Sequence, residues 1–167
     1  MLAHVEMSGF EPARADWPAG YRLVSFDIGL LADFMERDLG MTIAYWCVFA
    51  AMFIPWICAA YAKKAGGFQW HDNHHPRGFL AHAQGRAERA DAAQKNGYEI
   101  FPPFAAAVII AHATGNAGQA GVNFWALCFV FSRLAYSYCY IKDMPAIRSA
   151  LWGMGLICIM ALFGLAC

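Results

Sequence analysis

Apolar positions along the chain gather into long unbroken blocks, and the polar positions between them are short and clustered. Met41 to Ala62 runs for 22 positions without a charge, and Lys63 and Lys64 end it. About 20 such residues suffice for a helix to span hydrocarbon, so this block predicts a first membrane span. Pro55 inside it is tolerated where neighbours satisfy the freed carbonyl. Residues 63–95 are polar and contain the knot Trp70-His71-Asp72-Asn73-His74-His75-Pro76-Arg77. From Gly85 to Ala93 strong helix formers follow, and they run without a breaker into the apolar stretch Tyr98–Thr114. One long second helix is predicted, half polar and half lipid-embedded, with Pro102-Pro103 as a bend. After the uncharged turn Gly115–Gly121, Val122–Ile141 predicts a third span interrupted by Arg133. A tight loop, Lys142 to Pro145, leads to a fourth span, Ser149–Cys167. Ahead of all this, residues 1–40 are mixed. Leu23, Val24, Ile28, Leu31, Phe34 and Met35 recur there at helical spacing among acids, which predicts an amphipathic segment or an irregular arm.

Composition sharpens that picture. Apolar residues make up 60% of the chain and charged residues 14%, where a soluble domain carries about 25% charged residues. Twelve Lys and Arg balance twelve Asp and Glu, so there is no basic excess for a phosphate backbone, and a nucleic-acid partner is excluded. An all-α, multi-pass membrane protein embedded in lipid is expected. No basic n-region precedes an apolar core, so no cleavable signal peptide is expected. The six cysteines lie in apolar runs without a CxxC pair and read as buried hydrophobes. Lys63, Lys64, Arg77, Arg86, Arg89 and Lys95 follow the first span, and Lys142 and Arg148 follow the third. By the positive-inside rule the loops 63–95 and 142–148 are expected in the cytoplasm. His71, His74, His75 and His82 crowd one loop, but Asp72 is the only nearby acid and no cysteine joins them. No closed ligand set is visible, and no metal is expected there. His112 is expected to be a hydrogen-bonded packing residue.

Chemistry concentrates near the cytoplasmic ends of the second and third spans. A charge at the bilayer centre costs about 2.5–3.5 kcal/mol or more, so such residues pair or line a wet site. Asn96 and Glu99 are spaced i, i+3 and share a helix face. Arg133, Tyr136 and Tyr140 share another. The two sets predict a polar cleft, or else an Arg133–Glu99 ion pair that only joins the helices.

The order Arg89-x6-Asn96-x2-Glu99-x2-Pro102-x-Phe104, then Arg133-x2-Tyr136-x3-Tyr140, then Pro145 and Arg148-Ser149, resembles the MAPEG superfamily, the membrane-associated proteins in eicosanoid and glutathione metabolism. The knot Asp72–Arg77 is similar to loops of its bacterial members. The resemblance covers roughly residues 41–167, leaving residues 1–40 as a separate arm that could dock a protein partner. It implies a four-helix membrane bundle assembled as a homotrimer in a bacterial inner membrane. Glutathione, as co-substrate, would bind between subunits on the cytosolic side. Asn96 and Glu99 would contact it, with Glu99 taking the amino group, and Arg133, Tyr136 and Tyr140 would line the site from the next subunit. Arg89 would meet a carboxylate. Arg148, the implied catalytic residue, would sit by the sulfur, because a thiol with a pKa near 8.5 attacks only as thiolate and a guanidinium favours that anion. Several characterised enzymes of the superfamily have an arginine where this chain has Ala92. Two functions follow as expectations. One is a glutathione transferase or peroxidase acting on lipophilic electrophiles or lipid hydroperoxides. The other is a non-enzymatic membrane scaffold or subunit of a larger complex.

Overall fold

The computed structural model describes residues 40–167. The amphipathic segment expected at Leu23–Met35 lies outside them. The described residues form five α-helices and one 3-10 turn, with no strand among them. Helix α1 is Ile43–Ala65, α2 Pro76–Ala81, α3 Arg86–Thr114, α4 Gln119–Ile141 and α5 Pro145–Ala166, with the 3-10 turn at Trp70–His74 between α1 and α2. By length and composition α1, α4 and α5 are able to cross a membrane. The long second helix expected from the sequence is continuous through both Pro102 and Pro103.

Each boundary has a local cause. Thr42 caps α1: its hydroxyl accepts from the Tyr45 amide at 3.3 Å. The Ala44 amide, another donor without an intrahelical partner, goes to Asn123 Oδ1 at 3.1 Å. Glycines with positive φ flank α3, Gly85 ahead of it and Gly115 behind it in the left-handed conformation that ends helices. Helix α5 opens on Pro145, whose missing N–H costs nothing in a first turn. Helix α5, expected to start at Ser149, therefore begins at Pro145, and Arg148 lies in a helix and not in a loop. The expected loop 63–95 is likewise partly helical, since Lys63–Ala65 ends α1 and Arg86–Lys95 begins α3. Helix formers without a breaker extend both helices past their apolar blocks.

Helices α3 and α4 each pack against all three of the other long helices. Consecutive long helices run antiparallel, so the molecule has two polar ends. Thr42, His112 and Asn123 mark the histidine end, and Asn96, Arg133 and Arg148 the arginine end. Between them lies an apolar core in which Phe104 and Phe129 stack at 3.8 Å, with Val108, Val122, Cys158 and Leu162 fully buried around them. Small residues bring the helices together: Ala44, Ala51, Ala107 and Ala126 are all buried inside the chain. All six cysteines are free thiols, and four of them are buried. Trp46, Phe49, Trp56 and Ile57 of α1 stay exposed, an apolar surface suited to lipid.

Candidate functional site

At the arginine end, Asn96 and Glu99 lie one turn apart on α3. Asn96 Nδ2 donates to Glu99 Oε2 at 3.2 Å, and Arg133 Nη2, from α4, donates to Asn96 Oδ1 at 2.7 Å. A guanidinium only donates and a carboxylate only accepts, so the Asn96 amide has one orientation that serves both. Arg133 is 3% exposed. Its Cζ lies 3.9 Å from the centre of the Tyr136 ring, where the ring's π face attracts a cation. Tyr136 meets Tyr140 edge-on at 5.6 Å, and Arg148 Cζ stands 4.5 Å over Tyr140. Six of the seven residues singled out in the sequence thus form one line of contacts: Glu99, Asn96, Arg133, Tyr136, Tyr140, Arg148.

One expectation changes. The Arg133–Glu99 ion pair is not formed, because Asn96 occupies the guanidinium and Glu99, one turn further along α3, is exposed. The line is incomplete at one point: Arg133 Nη1 is buried without a hydrogen-bond partner among the described residues, and a buried donor left unpaired costs about 1–3 kcal/mol, more when charged.

The line ends in a cleft of about 220 Å³ lined by Tyr136, Tyr140, Arg148, Ser149 and Trp152. Tyr136 and Tyr140 come from α4, and the other three from the first two turns of α5. Arg89 does not line it. Its Nε donates to the Ile141 carbonyl at 3.1 Å, and its Nη1 lies 3.8 Å from Asp143 Oδ2. In the histidine-rich stretch, His71 pairs with Asp72 at 3.2 Å and His82 Nδ1 bonds the Gly78 carbonyl at 2.9 Å. No group of three or more His, Cys, Asp or Glu among the described residues is placed to hold a metal ion.

Sequence reasoning missed four contributors. A Cβ on Gly97, between Asn96 and Glu99, would meet Pro55 Cγ at 2.8 Å, so Gly97 lets α1 and α3 close beside the polar line. A Cβ on Gly155 would lie 3.7 Å from Arg133 Cδ, so α5 covers the aliphatic stem of Arg133 through a glycine. Gly155 is itself buried within the chain. Ser149 and Trp152 complete the cleft wall. Two signals were present: Gly97 is a lone glycine inside a helix, which points to a packing role, and Trp152 follows Arg148 at i+4.

A family model described as the MAPEG family matches residues 43–167, which takes in all five described helices. No curated protein and no solved structure matches the chain.

Proposed function

The chain belongs to the MAPEG family, and on that premise we propose that it is a glutathione-dependent membrane transferase or peroxidase acting on lipophilic electrophiles or lipid hydroperoxides. The observation that carries this reading is the line of contacts from the exposed Glu99 carboxylate through Asn96 and Arg133 to the cleft under Arg148. Glu99 has an exposed carboxylate for the peptide's amino group. Arg148 has its guanidinium at the cleft, where it favours the thiolate over the thiol by charge. Trp152 gives the cleft an apolar wall for a substrate arriving from lipid.

In this reading the protein is a homotrimer with α3 as its fourth span, and the ends bearing Lys63, Lys64, Lys142 and Arg148 face the cytoplasm. Two features support the trimer. Ligand pockets run to about 300–1,000 Å³, and a cleft of about 220 Å³ leaves room for a second copy to add walls. An exposed Glu99 near membrane depth also asks for cover. Two of the Arg89 nitrogens, Nε and Nη1, are turned to Ile141 and Asp143 within the chain.

One observation favours the second reading, a non-enzymatic scaffold: Asn96 is satisfied within the chain at both ends of its amide, as a structural brace would be. Glutathione added to the purified protein separates the two. A ligand of the native state at a hundred times its Kd stabilises by about 2.7 kcal/mol, so the enzyme reading expects a clear rise in thermal midpoint. Glu99→Gln is expected to weaken binding by about 1.5–3 kcal/mol, the range for a hydrogen bond to a charged group. A folded trimer with no thermal response to glutathione favours the scaffold.

A further inference from the structure

We propose that Arg89 is a positioning residue: it fixes the turn between α4 and α5 and thereby the place of the Arg148 guanidinium over the cleft. The inference rests on the reading of Arg148 as the group beside the reacting thiolate, but its geometry stands apart from it.

The turn Lys142–Met144 is built tightly. Lys142 N donates to Tyr138 O at 3.0 Å, Asp143 N to Tyr140 O at 3.2 Å and Met144 N to Cys139 O at 2.9 Å. Asp143 has φ +62° and is the one non-glycine residue with positive φ among those described, a conformation that Asp tolerates better than most residues. Pro145 then starts α5 with its own φ restricted, and Arg148 N returns to Met144 O at 3.0 Å. From Cys139 to Arg148 the backbone is thus one closed unit. It carries Tyr140 before the turn and, stacked on it, Arg148 after the turn.

Arg89 reaches this unit from α3. It holds it at two points: the Ile141 carbonyl, which lacks an intrahelical partner at the end of α4, and the carboxylate of the strained residue itself. The two points need donors pointing in two directions from one planar group. Arginine has them and lysine does not. The ion pair at 3.8 Å is partly exposed and contributes little alone; the carbonyl bond sets the direction and the carboxylate holds Asp143. Arg89 therefore does not line the cleft, and acts through the turn.

The test uses the full-length protein in detergent. Phenylglyoxal, which modifies arginines, is applied without glutathione, and the modification rates of Arg148 and of exposed Arg77 are read by mass spectrometry. In Arg89→Ala the rate at Arg148 is expected to rise several-fold while that at Arg77 stays put. Arg89→Lys keeps the charge and loses the fork, and is expected to show part of the rise; it also serves if the alanine variant does not fold. An Arg148 rate equal to wild type in either folded variant overturns the proposal. With glutathione bound, the ultraviolet absorbance of the thiolate against pH gives a second readout. Arg89→Ala is expected to raise the apparent pKa of the bound thiol by about one unit, tenfold less thiolate at a fixed pH below it, with affinity nearly unchanged. A loss of affinity with no change in thiolate titration would make Arg89 a ligand contact and overturn the positioning role. If wild type binds no glutathione, the enzyme reading fails, and the phenylglyoxal rates still decide the role of Arg89.

Discussion

The two polar ends of this molecule handle their hydrogen bonds in opposite ways. At the histidine end the set is closed. The His112 Nδ1–H donates to the Val108 carbonyl at 2.8 Å, which in the neutral ring leaves Nε2 to accept from the Thr42 hydroxyl at 3.1 Å. The ring stacks on Tyr45 at 4.2 Å, and Asn123 Oδ1 takes both the Ala44 amide and Gln119 Nε2. At the arginine end the set is open: Glu99 is exposed, Arg133 Nη1 lacks a partner among the described residues, and a cleft lies under Arg148. A polar group inside a membrane bundle costs energy unless it is paired. Full pairing within one chain is what a lock between helices needs. Unpaired capacity beside a cleft is what a ligand or a neighbouring copy needs. The difference fits the first end being a lock between helices and the second being the proposed site.

The largest break in that contrast comes from Asn96→Ala. It takes the Asn96 Oδ1 acceptor away from the buried Arg133 guanidinium, and the expected loss of stability is about 1.5–3 kcal/mol, the range for hydrogen bonds to charged groups. The stabilisation by glutathione should go with it. Thermal unfolding in detergent, with and without glutathione, measures both. A stable variant that keeps its glutathione response would mean that Arg133 does not depend on Asn96. Gly97→Ala comes next. Its Cβ would run into the Pro55 ring, which has little freedom to give way, and overpacking of this kind costs about 1–3 kcal/mol. Helix separation at this point also displaces Asn96 and Glu99, so binding should weaken although no polar atom has changed.

These two neighbours show how far the sequence could be read. Asn96 and Glu99 were legible because i, i+3 spacing is a property of one helix, and their hydrogen bond follows from it. The face shared by Arg133, Tyr136 and Tyr140 was legible for the same reason. The lengths of α1 and α4 followed closely from where charges stop the apolar blocks. What spacing within a helix does not carry is the relative height of two helices. A shift of one turn decides whether Arg133 meets Asn96 or Glu99, and it decides whether Gly97 faces Pro55. The same holds for Thr42 and His112, 70 residues apart: His112 read as a packing residue, but its partner did not. Arg89 lies in a run with carboxylate-binding chemistry by resemblance, and only the turn after α4 shows what it holds.

His112→Ala probes the closed end. Aromatic stacking is worth about 0.5–1.5 kcal/mol and a neutral hydrogen bond about 0.5–1.5 kcal/mol, so a loss of about 1–2 kcal/mol is expected after the neighbouring groups relax. The stabilisation by glutathione should be unchanged in size, because nothing at this end touches the cleft. That pairing of results is the signature of a lock. A selective loss of the glutathione response would show the two ends to be coupled, and the separation of structure from site would fail.

The smallest effect is expected at Gly155, and it sharpens the comparison within the arginine end itself. A Cβ there would sit 3.6 Å from Ile100 Cδ1 and from Ser132 Oγ, and 3.7 Å from Arg133 Cδ. Those are ordinary van der Waals distances, unlike the 2.8 Å that Gly97 would impose on Pro55. Replacing a helical glycine by alanine gains about 0.5–1 kcal/mol through the backbone. Gly155→Ala should therefore be neutral or stabilising by up to about that amount, with glutathione binding intact, since the new methyl touches the aliphatic stem of Arg133 and not its guanidinium. Gly155 and Gly97 flank the same polar line from different helices, so the two alanine variants differ chiefly in the closeness of the contact. If Gly155→Ala is as damaging as Gly97→Ala, then α5 approaches Arg133 more tightly than these distances allow, and the stem of Arg133 is clamped from both sides.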